Sequence, residues 1–173
     1  MLDAEQQERF DRLIKNLDPK TSGVLSKLSL KLRDIGDDMF IPTPDGTSQL
    51  QKPTTLLQDD PKKLSIQQPL IEHTRDLEAS FVTTLYGVMQ ARDIELAIDR
   101  APRVVFARDT LLKNYQILCK DCGVRDPNGY AKRFLTALEH FIRKELSEKL
   151  NLEDLLKGHV RAVGLDEIPP FPH

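Results

Sequence analysis

Apolar residues recur at intervals of three and four positions along most of the chain, which is the period of an amphipathic α-helix. The first stretch predicts a helix over about residues 3–17. Pro19 ends it, because the residue before a proline avoids helical backbone. The second stretch predicts a helix over about residues 21–35, with Thr21 or Ser22 as its N-cap.

The remaining apolar stripes predict three longer helices, over about residues 70–99, 103–119 and 130–150. A short helix is expected over residues 151–158, because an asparagine begins this segment, acids occupy its first turn and a glycine ends it. The proline-rich residues 164–173 predict an extended tail.

Residues 37–69 show no sustained period, and five prolines are spread through them. The segment "PDG" at 44–46 is typical of a turn. We therefore expect a long loop, with at most a short turn near Leu56 or Leu64. Loops of this length are functional or disordered, or serve as the crossover between two helical hairpins. The sequence thus predicts one all-α domain over residues 1–173, a helical bundle of five to six helices with one long proline-rich loop.

The composition agrees with a globular helical protein, since 39% of the 173 residues are hydrophobic and 30% are charged. No apolar run approaches the ~20 residues that span a bilayer. The N-terminal "MLDAEQQERF" is too acidic and polar for a secretory signal, and the two cysteines are too close to join distant segments. We therefore expect a cytoplasmic protein without a membrane partner.

The two cysteines lie in "ILCKDCGVRDPNGY", residues 117–130, with the spacing C-x-x-C. Structural zinc needs four ligands, and no second cysteine or histidine pair is present in the sequence. A redox pair is typically placed at a helix N-terminus, whereas this one is predicted at a C-terminus. The favoured interpretation is a helix end at which Cys119 and Cys122 are small core residues. A metal or redox site at this pair is the weaker alternative, and we expect no cofactor and no metal.

Catalytic signatures are missing from the sequence. It contains no G-x-S-x-G, no P-loop and no G-x-G-x-x-G, and its four histidines are scattered. No Glu-x-x-His pair recurs as a di-iron bundle would require. We therefore expect a protein that is not an enzyme.

The positive charge is concentrated towards the C-terminal half. Residues 101–149 contain 10 lysines and arginines against 6 acids, whereas residues 1–60 contain 8 against 11. Arg133, His140 and Lys144 fall at i, i+7 and i+11, so they share one side of a predicted helix. Such a row of cations neutralises phosphates without reading bases. The predicted nucleic-acid-binding side chains are Lys132, Arg133, Arg143 and Lys144, supported on the preceding helix by Arg103, Arg108 and Lys113.

Two alternatives to this binding site stay open. The cations can form an ordinary solvated face, with Glu139, Glu145 and Glu148 as their partners. A protein–protein adaptor is the other alternative, with the 37–69 loop and the tail "IPPFPH" as docking elements. The tail can equally pack Ile168 and Phe171 over the end of the bundle.

A helical chain of this size with the basic amphipathic stretches "RVVFARDTLLKNYQ" (103–116) and "YAKRFLTALEHFIRKELSEK" (130–149) resembles the small helical subunits of CRISPR interference complexes. Those subunits lie beside the guide RNA backbone and contact nucleic acid and neighbouring copies. The resemblance implies a role in antiviral defence. It also implies a non-catalytic subunit that binds RNA or single-stranded DNA without sequence specificity, with other protein subunits, including copies of itself, as partners.

Overall fold

The computed structural model describes residues 4–33, 40–91 and 94–150, which are mostly helical and include one small sheet. The α-helices are α1 (Ala4–Lys15), α2 (Pro19–Arg33), α3 (Pro61–Met89), α4 (Ile94–Cys122) and α5 (Pro127–Leu150). The strands are β1 (Phe40–Pro42) and β2 (Gln49–Gln51), and a 3-10 turn over Pro53–Thr55 follows them. The prediction of a helical fold is confirmed, and the two strands correct its all-α form.

The start of α2 depends on Asp18, so the predicted caps Thr21 and Ser22 are wrong. The Asp18 carboxylate accepts hydrogen bonds from the Thr21 backbone N–H at 3.1 Å and from the Thr21 hydroxyl at 2.6 Å. Pro19 is the first residue of α2, where a missing N–H costs no hydrogen bond. The same proline that separates α2 from α1 therefore also begins α2.

Residues 40–60 are folded, which corrects the long loop predicted over residues 37–69. β1 and β2 form an antiparallel hairpin, in which the facing pairs are Phe40 with Gln51, Ile41 with Leu50, and Pro42 with Gln49. The segment has few apolar residues, and its strands are only three residues long. A helical period therefore could not reveal them.

The turn predicted at 44–46 is confirmed. Gly46 has a φ of +74°, a left-handed conformation that glycine adopts without strain. The Asp45 carboxylate accepts hydrogen bonds from the hydroxyls of Thr43 and Thr47 and from the Thr47 backbone N–H. These bonds favour the ionised form and lower the pKa of Asp45 to about 2. The turn thus fixes the register of the hairpin.

The hairpin and the turn after it are attached to the helices by specific bonds. The Lys52 ammonium is buried and donates a hydrogen bond to the Leu32 carbonyl in the last turn of α2 at 3.0 Å. The Tyr130 hydroxyl of α5 donates to the Gln51 carbonyl at 2.7 Å. Ile41 of β1 is buried in the main apolar core. The segment therefore connects the end of α2 to the start of α5.

α3 begins and ends earlier than the helix predicted over residues 70–99, and the helix after it also begins earlier than predicted. α3 begins at Pro61, where the Asp60 carboxylate caps it by accepting a 3.1 Å hydrogen bond from the backbone N–H of the third residue. Pro69 is exposed within α3 and does not end it. α3 ends at Met89, and the next helix, α4, begins before the predicted residue 103 and continues through Pro102.

The other end of α4 agrees with the prediction. α4 stops at Gly123, whose φ of +79° is left-handed. Asp126 then caps α5 by accepting a 3.1 Å hydrogen bond from the Gly129 backbone N–H. The core lies between α2, α3, α4 and α5, and the Tyr115 ring of α4 meets the Phe134 ring of α5 edge-on, with centroids 5.1 Å apart.

Several predictions fall outside the described residues. They are the start of the first helix at residue 3, the end of the second helix at residues 34–36, the short helix at 151–158 and the tail at 164–173. A single domain over the whole chain stays a prediction for the same reason. Within the described residues, no helix has the length and apolarity needed to cross a bilayer.

Candidate nucleic-acid interface

The solvent-facing side of α5 carries Arg133, Thr136, His140 and Lys144, which we call the basic face. All four side chains are exposed, and they follow one another at intervals of three, four and four residues. Phe134 and Leu138 lie on the opposite side of the helix and are fully buried in the core. Arg133, His140 and Lys144 are thus exposed on one side of α5, and the exposed Glu148 follows Lys144 by four positions on that side.

Aromatic rings support cations at both ends of this region. The Arg133 guanidinium lies 5.9 Å from the centre of the Tyr130 ring, and the hydroxyl of that ring is bonded to the hairpin. Lys31 of α2 lies with its ammonium 5.5 Å from the centre of the Phe141 ring. Such contacts favour one position for a long cationic side chain. Lys31 therefore adds a cation beside the basic face that the sequence did not identify.

Lys132 and Arg143 lie on the α4 side of the basic face. Both side chains are half-buried, and Arg143 Nε lies 3.3 Å from Glu139 Oε2. Part of the Arg143 charge is therefore already neutralised within the protein. These two cations contribute to the field around the basic face and are less accessible than Arg133 and Lys144.

The three cations predicted on α4 do not join this site. Arg108 is buried and its guanidinium donates to both carboxylate oxygens of Glu139, with Nε 2.5 Å from Oε1. Arg103 is half-buried in a cleft of about 550 Å³ between α1, α3 and α4, where Asp11 lies nearby. Lys113 is exposed on the outer side of α4. The prediction of one basic surface formed by a helix pair is corrected to a surface on α5.

Burial and charge act in opposite directions on Arg103. Desolvation lowers its pKa, and the negative charge of Asp11 raises it. The net direction is downward, which is typical of a guanidinium that packs within a protein. Arg103 therefore lies in the cleft that Asp11 of α1 also lines, away from the basic face of α5.

The cysteine pair is divided between the core and the surface. Cys119 is buried, and burial raises the pKa of its thiol to about 12. Cys122 is exposed, so its predicted core position is wrong; its thiol donates to the Leu56 carbonyl at 3.4 Å. Among the described residues, no group of three or more His, Cys, Asp or Glu side chains is placed to hold a metal ion.

The burial of four charged residues was not predicted, and for three of them, all except Lys52, the sequence held a signal. Arg108 follows the buried Val104 by four positions, and Glu139 follows the buried Leu135 by four. Glu78 likewise follows the buried Thr74 by four positions, in the middle of the buried side of α3. A charged residue in phase with an apolar stripe is therefore the sign of a buried ion pair or hydrogen bond in this fold.

The candidate interface thus consists of the basic face, with Lys31, Lys132 and Arg143 at its edges. No protein-family model, no curated protein and no solved structure matches this chain. The chemistry available at the interface is that of exposed ammonium, guanidinium and imidazole donors on one rigid helix.

Proposed function

We propose that this chain is a non-catalytic subunit of a larger assembly, and that the basic face of α5 binds the backbone of RNA or single-stranded DNA. The observation that supports this most is the row of Arg133, His140 and Lys144, which are exposed on one side of α5. Cations at phosphates release condensed counterions, which favours binding without any base being read.

The dimensions of the basic face suit a backbone. Arg133 and Lys144 are separated by eleven helical positions, or about 16 Å along the axis at ~1.5 Å per residue. The donors therefore reach several phosphates of an extended strand in succession. The Tyr130 ring is covered by the Arg133 guanidinium, so stacking of this ring with bases makes a small contribution at most.

The proposed assembly is of the kind that the resemblance to CRISPR interference subunits implies, namely one in which several protein chains lie along one guide RNA. As part of the proposal, the whole chain forms a bundle of five to six helices. A subunit of this kind contributes affinity through many weak, identical contacts and leaves sequence recognition to base pairing.

The test is fluorescence anisotropy with labelled single-stranded RNA and DNA of unrelated sequences, from low to moderate salt. Binding is expected to weaken linearly on a double-logarithmic plot, with a slope of about −0.7 for each phosphate neutralised. The variant Arg133→Glu with Lys144→Glu should reduce that slope by at least about 1.4, since two contacts are lost.

A matched control carries the same change of net charge at exposed lysines outside α5, as Lys20→Glu with Lys62→Glu. If the control loses as much affinity as the α5 variant, the charge of the whole protein is responsible and not the basic face. The absence of salt-dependent binding by the unaltered protein at low salt would contradict the proposal itself.

Protein–protein binding is the second candidate function. It was expected at the 37–69 loop and the tail, but residues 40–60 are attached to the helices through Lys52 and Tyr130. The observation that favours it is a different one. Val105, Phe106 and Ile117 of α4 are large apolar side chains that remain exposed.

A further inference from the structure

The outer side of α4 has the composition of an interface and not of a solvated surface. Its side chains Val105, Phe106 and Ile117 are 41%, 59% and 45% exposed. Asp109 and Lys113 lie between them and are also exposed. We call these five residues the α4 outer face.

The charges of the α4 outer face lack partners inside the described part of the chain. Neither Asp109 nor Lys113 forms a hydrogen bond or an ion pair with any described residue. One is negative and one is positive, and they are four positions apart on the same side of the helix. The order along α4 is therefore apolar, negative, positive, apolar.

This order is complementary to itself when it is reversed. A two-fold axis that passes level with residue 111 places a second α4 antiparallel to the first. Asp109 then lies opposite the partner's Lys113, and Val105 lies opposite the partner's Ile117, because each pair is equally spaced about residue 111. Each contact occurs twice, because a two-fold axis repeats it. A parallel arrangement would instead set Asp109 against the partner's Asp109, which is repulsive.

We propose that the α4 outer face is the interface of a homodimer in which two copies of this chain pack α4 antiparallel to α4. The apolar ends supply buried area, and the two central ion pairs select the antiparallel register. The proposal does not depend on nucleic-acid binding. If both hold, the dimer carries two basic faces and binds a strand at two places at once.

The experiment is a charge exchange followed by analytical ultracentrifugation of the full chain over a wide concentration range. Asp109→Lys alone sets lysine against lysine across the axis, and Lys113→Asp alone sets aspartate against aspartate. Each should raise the dimer dissociation constant by roughly tenfold or more, because like charges then face each other twice. Lys62→Asp on α3 is the matched control, and it should leave the constant unchanged.

The decisive sample is an equimolar mixture of the two single variants. In the mixed dimer, each lysine of one chain faces an aspartate of the other, so association should return to within roughly threefold of the original. Such a recovery requires contacts between two chains. A change confined to one helix would leave the mixture as weak as its components.

The same measurements have outcomes that would overturn the proposal. It fails if the unaltered chain stays monomeric at the highest concentration reached. The α4 outer face would then be a contact surface for a different protein or for residues outside the described ranges. It also fails if the chain dimerises and neither single variant weakens the dimer. Weakened single variants that do not recover on mixing overturn the antiparallel register. Circular dichroism of each variant verifies that the helices are retained.

Discussion

Arg108 of α4 and Glu139 of α5 form a buried, two-pronged ion pair, in which the side chains are only 4% and 11% exposed. The pair lies among apolar residues of both helices and joins them at mid-length. It also explains why Arg108 is absent from the surface on which the sequence placed it. A guanidinium held in this way is a structural element and not a ligand contact.

Removing one partner of this pair should destabilise the fold strongly. Glu139→Leu leaves the Arg108 guanidinium buried with its main counter-charge removed, and the free energy of unfolding should fall by about 3–5 kcal/mol. Urea unfolding monitored by circular dichroism measures the change. Glu148→Leu, at an exposed position of the same helix, is the control and should change it by less than about 0.5 kcal/mol.

The double variant Arg108→Met with Glu139→Leu should recover most of that loss. Both charges are then replaced by apolar groups of similar volume, which is commonly neutral or stabilising. If the double variant is as unstable as Glu139→Leu, the buried charge is not the cause of the loss.

A second buried pair makes stability depend on pH. The Tyr115 hydroxyl donates to Glu78 Oε2 at 2.5 Å, and Glu78 is fully buried. Burial raises the pKa of Glu78 to about 7, although the Tyr115 hydrogen bond and the charges of Lys52 and Arg75 act in the opposite direction. The folded state therefore holds a proton that the unfolded state releases near pH 4.5.

The sign of the dependence follows from that difference. The contribution of Glu78 to stability is complete below pH 4.5 and is lost as the pH rises towards 7, by about 3 kcal/mol in total. Glu78→Gln keeps an acceptor for the Tyr115 hydroxyl and cannot ionise. Residue 78 should therefore not lower the stability of this variant between pH 4.5 and 7. Urea unfolding at several pH values, for both proteins, gives the difference curve. A difference that is flat between pH 4.5 and 7 would contradict the assignment.

The helix boundaries show what the sequence could and could not predict. The apolar stripes indicated a helix in the region of each described α-helix, but proline was a poor guide to the ends. Pro69 and Pro102 both lie inside helices, because packing on the buried side holds a helix whose exposed side lacks one hydrogen bond. The break after Met89 has neither glycine nor proline in its first residues, so no local signal marked it.

The candidate site was predictable on α5 and not on α4, for a geometric reason. Residues three, four, seven or eleven apart share a side of one helix, which made the row from Arg133 to Lys144 visible in the sequence. Arg103, Arg108 and Lys113 are five positions apart. Five positions turn a helix by about 140°, so these side chains diverge towards α1, α5 and solvent.

The two thiols should differ in reactivity. Cys122 is exposed and should react with a thiol reagent such as DTNB in the folded protein. Cys119 is buried with its pKa raised to about 12, so it should react only when the protein unfolds. The expected result is one equivalent of thiol in buffer and two in denaturant. Cys122→Ser should remove the fast equivalent alone, and two fast equivalents in buffer would show that Cys119 is accessible.

The folded hairpin yields the last prediction. Tyr130→Phe removes the hydroxyl that donates to the Gln51 carbonyl at 2.7 Å and keeps the ring beneath Arg133. Hydrogen–deuterium exchange of residues 40–57 should become faster, because β2 loses its bond to α5, and global stability should fall by about 1 kcal/mol.

Tyr86→Phe is the control, since Tyr86 forms no hydrogen bond through its hydroxyl to any described residue. It should leave exchange in the hairpin unchanged. Equal exchange in the two variants would mean that Ile41 and Lys52 hold the hairpin without help from α5. Faster exchange in Tyr130→Phe alone would identify the hydroxyl as the contact that fixes the hairpin to the helix carrying the basic face.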